Sequence, residues 1–270
     1  MAEKERLDKI LVDCGYFETR QKAQAAIMAG DVKVNGETIT KSGHQMINDE
    51  KTNIEIKTMP YVSRGGFKLE KALNRFEINL ENRICLDAGA STGGFTDCML
   101  QRGAKFVYAV DVGYGQFAWK LRQSKKVKVI ERTNVKNCDI SEIYDENEPI
   151  AEFCAMDLSF ISITKVLPNV IKLLGDKKEL ALLIKPQFEA GKGLVGKNGV
   201  VREKSTHVNV IENVINCAKE LGLFVWGLDF SPIKGPKGNI EYLIHLKNEK
   251  TETEISVLNV VDCSFSRLEN

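Results

Sequence analysis

Residues 84–96 read ICLDAGASTGGFT: an apolar run closes on an acid, a glycine-rich turn follows, and a new apolar-periodic segment opens at once. An apolar strand brings the backbone to the edge of a sheet, glycines let it approach a ligand without intervening side chains, and the next helix begins with unpaired N–H groups. The pattern predicts a strand-turn-helix unit of an open α/β sheet, with a ligand held at the carboxyl end of the strand.

The glycine spacing bears on which ligand that is. A dinucleotide fingerprint needs G-x-G-x-x-G, and here Gly89, Gly93 and Gly94 leave Ser91 where the second glycine belongs. An acid at the strand end, Asp87, suits a ligand bearing an ammonium group, and S-adenosylmethionine carries one. In the following run FVYAVDVG, Asp111 ends a second strand, where a carboxylate can accept from ribose hydroxyls. An acid that merely caps a helix is the plainer alternative for either residue.

At 270 residues and 43% hydrophobic, the chain can bury one full-sized core and still supply a small second module. A net charge of +1 means that any nucleic-acid surface must arise from local clustering. The seven cysteines include no C-x-x-C pair, which indicates neither a disulfide framework nor a zinc site. With a charged start and no apolar run of membrane-spanning length, the chain is expected to be reduced and cytoplasmic, with no membrane association.

The sequence divides near residue 60. Before it, Leu7, Ile10 and Leu11 form an apolar stripe, Gly15 stops that helix, Thr19 is placed to cap the next, and Ala23, Ala26 and Ile27 continue the inward face. Val32 and Val34 alternate before Asn35-Gly36, a hairpin signal. Arg6, Lys9, Arg20, Lys22, Lys33 and Lys41 give this module a side that can dock on phosphates. Yet residues 1–60 carry nine Lys plus Arg against ten Asp plus Glu, and a solvated, charge-balanced surface reads equally well. The order R-L-D-x-x-L, G-x-x-x-T-R-x-x-A, G-x-V-x-V-N-G resembles the S4 RNA-binding domain over about the first 55 residues.

A seam, TMPYVSRGGFKLEKAL, follows. Its helix points Leu69, Leu73 and Phe76 inward and carries Arg64 and Lys68 at its start, where cations oppose the helix dipole. Beyond the glycine loop the expected alternation is strand FVYAV, helix QFAWKLRQ, strand KVKVIE, strand EFCAMD, helix ITKVLPNVIKLL and strand ELALLI, as in a doubly wound parallel sheet. Asp87, Asp111, Asp157 and Lys185 should then share one sheet edge, with Asn134 in a nearby turn. A helix from about Lys204 to Leu221 comes next. The last strands, FVWGLDFSP and IEYLIHLK, have too short a link for a crossover and must be antiparallel. Leu258, Val261 and Phe265 suggest a packed terminal helix. Lys120 to Lys136 contains seven basic residues, Arg132 among them, against one acid; the loop after Lys185 adds Lys192, Lys197, Arg202 and Lys204. Phosphate docking and plain solubility both explain such a cluster.

The motifs YVSRGGFKL, DAGASTGGFTD, AVDVGYGQ, ERTNV, MDLSFIS, IKPQFEAG and GNIEY resemble the TlyA (hemolysin A) family, which fuses an S4 domain to an FtsJ-like ribosomal RNA 2'-O-methyltransferase. The resemblance implies a class I S-adenosylmethionine-dependent methyltransferase fold: a Rossmann-like, mostly parallel seven-stranded sheet with an antiparallel last strand, plus a small N-terminal α+β domain. It implies an S4-like domain at 1–58, a linker at 59–64 and a catalytic domain at 65–270. It makes Lys68, Asp157, Lys185 and Glu241 a catalytic tetrad; the chemistry of removing a hydroxyl proton suggests Lys185 as the base, Lys68 stabilising the alkoxide and the two acids orienting the amines, though the sequence does not itself decide between the lysines. It places the cofactor on Asp87, Gly89, Ser91, Thr92, Gly93, Gly94, Phe95, Asp111, Asn134 and Asp157, and implies no metal. RNA contacts are expected from Arg6, Arg20, Lys22, Lys41, Arg64, Arg132 and Lys192. The implied substrate is a cytidine ribose of 23S and possibly 16S RNA, free or within ribosomal subunits, with no obligate protein partner. Two rivals stand beside it. A pore-forming cytolysin needs a membrane-inserting segment that the sequence does not display, and a non-catalytic ribosome-assembly factor has no need of a complete tetrad.

Overall fold

The computed structural model describes residues 4–17, 19–47, 52–56, 59–196 and 198–268, with the side chain of Lys192 left aside. Lys197 and Thr58, named above in the basic loop and at the domain boundary, lie outside the described residues. The chain forms two compact units, residues 1–60 and 61–270.

The first unit runs β1 (Glu5–Arg6), α1 (Leu7–Asp13), α2 (Arg20–Met28), β2 (Val32–Val34), β3 (Glu37–Thr38), β4 (Gln45–Met46) and β5 (Ile54–Ile56). Leu7, Ile10 and Leu11 pack with Ala23, Ile27, Val32 and Val34 into one apolar cluster. Thr19 caps α2 by accepting from the Lys22 amide, satisfying a donor that the first helical turn leaves open. Asn35 (φ 51°) and Gly36 (φ 83°) make the tight turn joining β2 to β3.

The second unit continues with α3 (Gly65–Arg75), β6 (Ile84–Ala88), α4 (Gly94–Gln101), β7 (Phe106–Val110), α5 (Trp119–Arg122), β8 (Val127–Ile130), β9 (Phe153–Met156), α6 (Leu167–Val170), β10 (Glu179–Ile184), α7 (Pro186–Glu189), α8 (Lys204–Glu220), β11 (Phe224–Phe230), β12 (Tyr242–Lys247) and α9 (Val257–Leu268). Its seven-stranded sheet has the order β11-β12-β10-β9-β6-β7-β8, and only β12 runs against its neighbours. Alternate residues feed two cores: Leu86, Tyr108, Met156 and Leu182 pack towards α8, while Cys85, Val107, Phe153 and Leu183 pack towards α3 and α4. A sheet covered on both faces needs apolar residues on both, which is why these strands read as continuous runs. Tyr61 is 5% exposed and lies against Gly66, so residues 61–64 of the seam pack with this unit.

Several expected elements turn out differently. QFAWKLRQ shrinks to the single turn α5, because the Ala118 amide bonds the Thr92 carbonyl and the Gln116 side chain bonds Asp111. ITKVLPNVIKLL breaks into two short 3₁₀ segments around α6. Pro168 lacks an N–H and its ring crowds the preceding turn. Glu241 precedes β12 by one residue, and Leu258 is 57% exposed while Val261 and Phe265 carry the buried face of α9. No described helix is long and apolar enough to cross a membrane.

Candidate active site

The parallel strands end along one edge, and the ends of β6, β7 and β9 deliver Asp87, Asp111 and Asp157 there, with Lys185 following β10. Between them opens a cleft of about 520 Å³ lined by Arg64, Lys68, Ser91, Phe95, Asp157 and Lys185, among others. A second cavity of about 440 Å³ continues from Gly89 and Ser91 past Asp111 and Asn134 to Phe160.

The glycine turn is tight for identifiable reasons. A Cβ on Gly89 (φ 90°) would lie 2.6 Å from the Asp157 carbonyl, so β6 and β9 can converge here only without a side chain. Ser91 occupies the left-handed region that the missing second glycine would have filled (φ 49°), held there by its N–H donating to Asp111 Oδ2 at 2.8 Å. Asp111 Oδ1 accepts from the Gly113 amide and from Gln116 Nε2, so the residue expected to take a ribose also organises two loops. Asn134 accepts from the Lys136 amide with its side-chain oxygen while lining the second cavity. Gly89, Ser91, Thr92, Gly94 and Phe95 reach a cleft wall, whereas Asp87 and Gly93 are buried behind it. Asp87 is fully buried: Oδ2 accepts from Thr96 Oγ1 at 2.6 Å and Oδ1 has no partner among the described residues. Burial pushes its carboxyl up to about 7, partly offset by the Thr96 hydrogen bond.

Four charged residues distant in sequence meet beside this turn. Lys68, on the inward face of α3, places Nζ 2.7 Å from Glu241 Oε2 and 3.7 Å from Asp157 Oδ2. Lys185 Nζ lies 2.5 Å from Asp157 Oδ1 and donates to Ser159 Oγ at 3.0 Å. One carboxylate therefore bridges both amines, and each lysine is no more than a tenth exposed. Acids alternate with the two amines, which offsets the cost of placing basic groups where so little solvent reaches them.

The expected RNA contacts fall into different surroundings. Arg6 and Arg20 both bond the buried Asp8, whose carboxyl they and Gln24 hold well below the usual range, so their half-exposed guanidinium groups are fixed in direction. Lys22 and Lys41 are exposed on the same unit. In the second unit Arg64 lines the cleft, and Arg132 lies 4.1 Å over the Tyr114 ring. The side chain of Lys192 lies outside the described residues. Acids inside and outside the basic window neutralise part of it: Arg122 pairs with Glu131 within it, Lys120 with Asp97, and Lys128 with Asp145 and Glu148. Lys204 pairs with Asp262.

Sequence reasoning passed over Ser159, Phe160 and Gln187. Phe160 is 90% exposed at φ 66°, an uncommon backbone state for a bulky residue, and its ring lies 5.1 Å from that of Phe188. The run MDLSFIS offered an apolar residue in a strand-end loop as the one signal.

An FtsJ-like methyltransferase family model matches residues 61–248, and an S4 domain model matches residues 5–45. The chain is 46% identical to Hemolysin A of Brachyspira hyodysenteriae, over 89% of this chain and 98% of that one. It is 40% identical to the 16S/23S rRNA (cytidine-2'-O)-methyltransferase TlyA of Mycobacterium tuberculosis, over 97% and 96%. A solved structure titled "Putative hemolysin from Streptococcus thermophilus" superposes with a TM-score of 0.77 at 44% identity, covering 100% of this chain and 98% of that one. With one family model spanning most of its length and such relatives over nearly all of it, the chain belongs to the FtsJ-like methyltransferases, in the TlyA (hemolysin A) group that joins them to an S4 domain.

Proposed function

We propose that the protein is an S-adenosylmethionine-dependent 2'-O-methyltransferase acting on a cytidine ribose of 23S, and possibly 16S, ribosomal RNA. The observation that carries this reading is the meeting of Lys68, Asp157, Lys185 and Glu241 in one cleft beside the glycine turn. The activity for which the 40% identical Mycobacterium tuberculosis relative is named points the same way.

The residues present fit the cofactor. Gly89, Ser91, Thr92, Gly94 and Phe95 would cradle it, with Asp111 and Asn134 along its nucleoside side and the unpartnered oxygen of Asp87 as a buried acceptor behind the turn. When bound, S-adenosylmethionine supplies an activated methyl group that needs only correct placement. The protein's task is the nucleophile: a ribose hydroxyl is weak until its proton leaves. Lys185 accepts that proton. Its amine donates to Ser159 Oγ and lies against Asp157, and in its neutral form it has a lone pair to offer the substrate hydroxyl. Lys68, held by Glu241, supplies positive charge for the developing alkoxide. Asp157 orients both amines and borders both cavities.

Residues 1–58 serve as the RNA-docking module, with Arg6, Arg20, Lys22 and Lys41 on phosphates; residues 59–64 connect it, and residues 65–270 catalyse, with Arg64, Arg132 and Lys192 as further RNA contacts. The test is tritium transfer from labelled cofactor to ribosomal RNA, followed by mapping of 2'-O-methyl sites in cells with and without the protein. Absence of both label and a lost cellular site overturns the reading and returns the chain to a non-catalytic assembly role.

A further inference from the structure

A third cleft, about 410 Å³, opens beside the tetrad and is bounded by Ser159, Phe160, Lys185, Gln187, Phe188 and Glu241. The cleft shares Lys185 with the tetrad, so it lies within reach of the base of a nucleotide whose ribose hydroxyl rests against that amine. Phe160 and Phe188, their rings packed on each other 5.1 Å apart and tilted by 46°, give the cleft an apolar aromatic side.

The polar groups around it are nearly all spent. Asn239 accepts from the Val201 amide and donates to the Gly199 carbonyl, and Lys185 is held by Asp157 and Ser159. In the lining of this cleft two buried oxygens have no hydrogen-bond partner among the described residues: Gln187 Oε1 and Glu241 Oε1. Both are acceptors, and a buried acceptor left unpaired weakens the fold unless a ligand answers it. Glu241 stands with the lysines, its other oxygen on Lys68, and this leaves the Gln187 oxygen as the acceptor on the side away from the tetrad, open to a donor of the base.

The turn bearing Gln187 is also fixed in place. The Phe188 amide bonds the Lys185 carbonyl, while Glu189 accepts from Ser162 Oγ at 2.6 Å and from the Ile163 amide at 2.7 Å. An acceptor on a pinned turn discriminates between donors and acceptors far better than one on a mobile loop. Resting on the 2'-O-methyl reading above, we propose that Gln187 selects the base of the target nucleotide, its side-chain carbonyl accepting a hydrogen bond from the exocyclic amine of cytosine. Uracil presents a carbonyl at that corner, which sets acceptor against acceptor.

The test uses the full-length protein, tritiated cofactor and ribosomal RNA fragments carrying either cytidine or uridine at the mapped site. Wild type is expected to favour cytidine by about tenfold or more in kcat/KM. Gln187→Leu is expected to bring the two within about threefold of each other, mainly by losing activity on cytidine. Gln187→Glu keeps an acceptor and keeps the preference. Calorimetric cofactor affinity stays unchanged in both variants, which separates loss of base reading from loss of fold. If wild type labels neither RNA, the methyltransferase reading itself fails and this inference with it. If wild type labels cytidine and Gln187→Leu retains the same preference, this inference alone is overturned.

Discussion

Replacing Glu241 with leucine strands the Lys68 ammonium. That amine lies 2.7 Å from Glu241 Oε2 and 3.7 Å from Asp157 Oδ2, with the lysine 9% and the glutamate 1% exposed. At an effective dielectric of about 20, the nearer contact is worth roughly 6 kcal/mol of raw attraction and the farther roughly 4, before desolvation is subtracted. Removing one member of a buried pair costs about 3–5 kcal/mol, because the remaining charge keeps its desolvation penalty without its partner. Lys68→Met is likewise expected to destabilise, since it leaves the buried Glu241 without its amine. The double variant, Lys68→Met with Glu241→Leu, carries neither charge and should recover most of the loss. For a unit of this size the single Glu241→Leu change lowers the melting temperature by on the order of 10 °C. Thermal and urea unfolding of the four proteins measures the coupling, and tritium transfer measured alongside should be lost in all three variants. If the double variant is as unstable as the two single losses added together, the amine and the carboxylate are not energetically coupled and the account of the tetrad as a mutually supporting charge cluster is wrong.

Other changes probe other parts of the site. Lys185→Met should lower transfer by at least about 100-fold while calorimetric affinity for the cofactor stays within a few-fold; near-normal turnover refutes its role as base. With burial holding Asp87 near 7, the native chain keeps a proton that an unfolded aspartate releases near ~3.9. Stability should therefore fall as pH rises from about 4 to about 7, by up to about 4 kcal/mol, and Asp87→Asn should remove that slope in urea midpoints taken across the window. Arg20→Ala should weaken RNA binding to a similar degree across sequences and reduce the slope of log affinity against log salt by about one; an unchanged slope removes Arg20 from the phosphate contacts.

The fold was legible because its strands are buried on both faces. Runs such as ELALLI and FVYAV have no other comfortable environment, and the short link before GNIEY required the antiparallel pairing observed for β12. The errors came where tertiary hydrogen bonds outcompete helix propensity. The Thr92 carbonyl and the Asp111 carboxylate capture the backbone and side chain that would have opened a longer helix at Gln116. Local charge counting failed for a related reason: Lys120 finds its acid in α4 and Lys128 finds two beyond β8, so the seven cations of that window are not seven free cations in space.

The four tetrad residues were visible as anomalies, each a charge set in or beside an apolar run, and a buried charge demands a partner whichever fold surrounds it. Ser159, Gln187 and Phe160 break no such rule. A serine after a strand or a glutamine after a proline is unremarkable until the structure shows that the serine holds an amine or that the glutamine oxygen is buried with nothing to bond. The difference is between groups whose charge makes them costly anywhere and groups whose cost appears only once their neighbours are known. The residues proposed to perform the chemistry belong to the first kind. The residue proposed to choose what the chemistry is performed on belongs to the second, and for that reason substrate selection is the part of this molecule a sequence reading is least equipped to find.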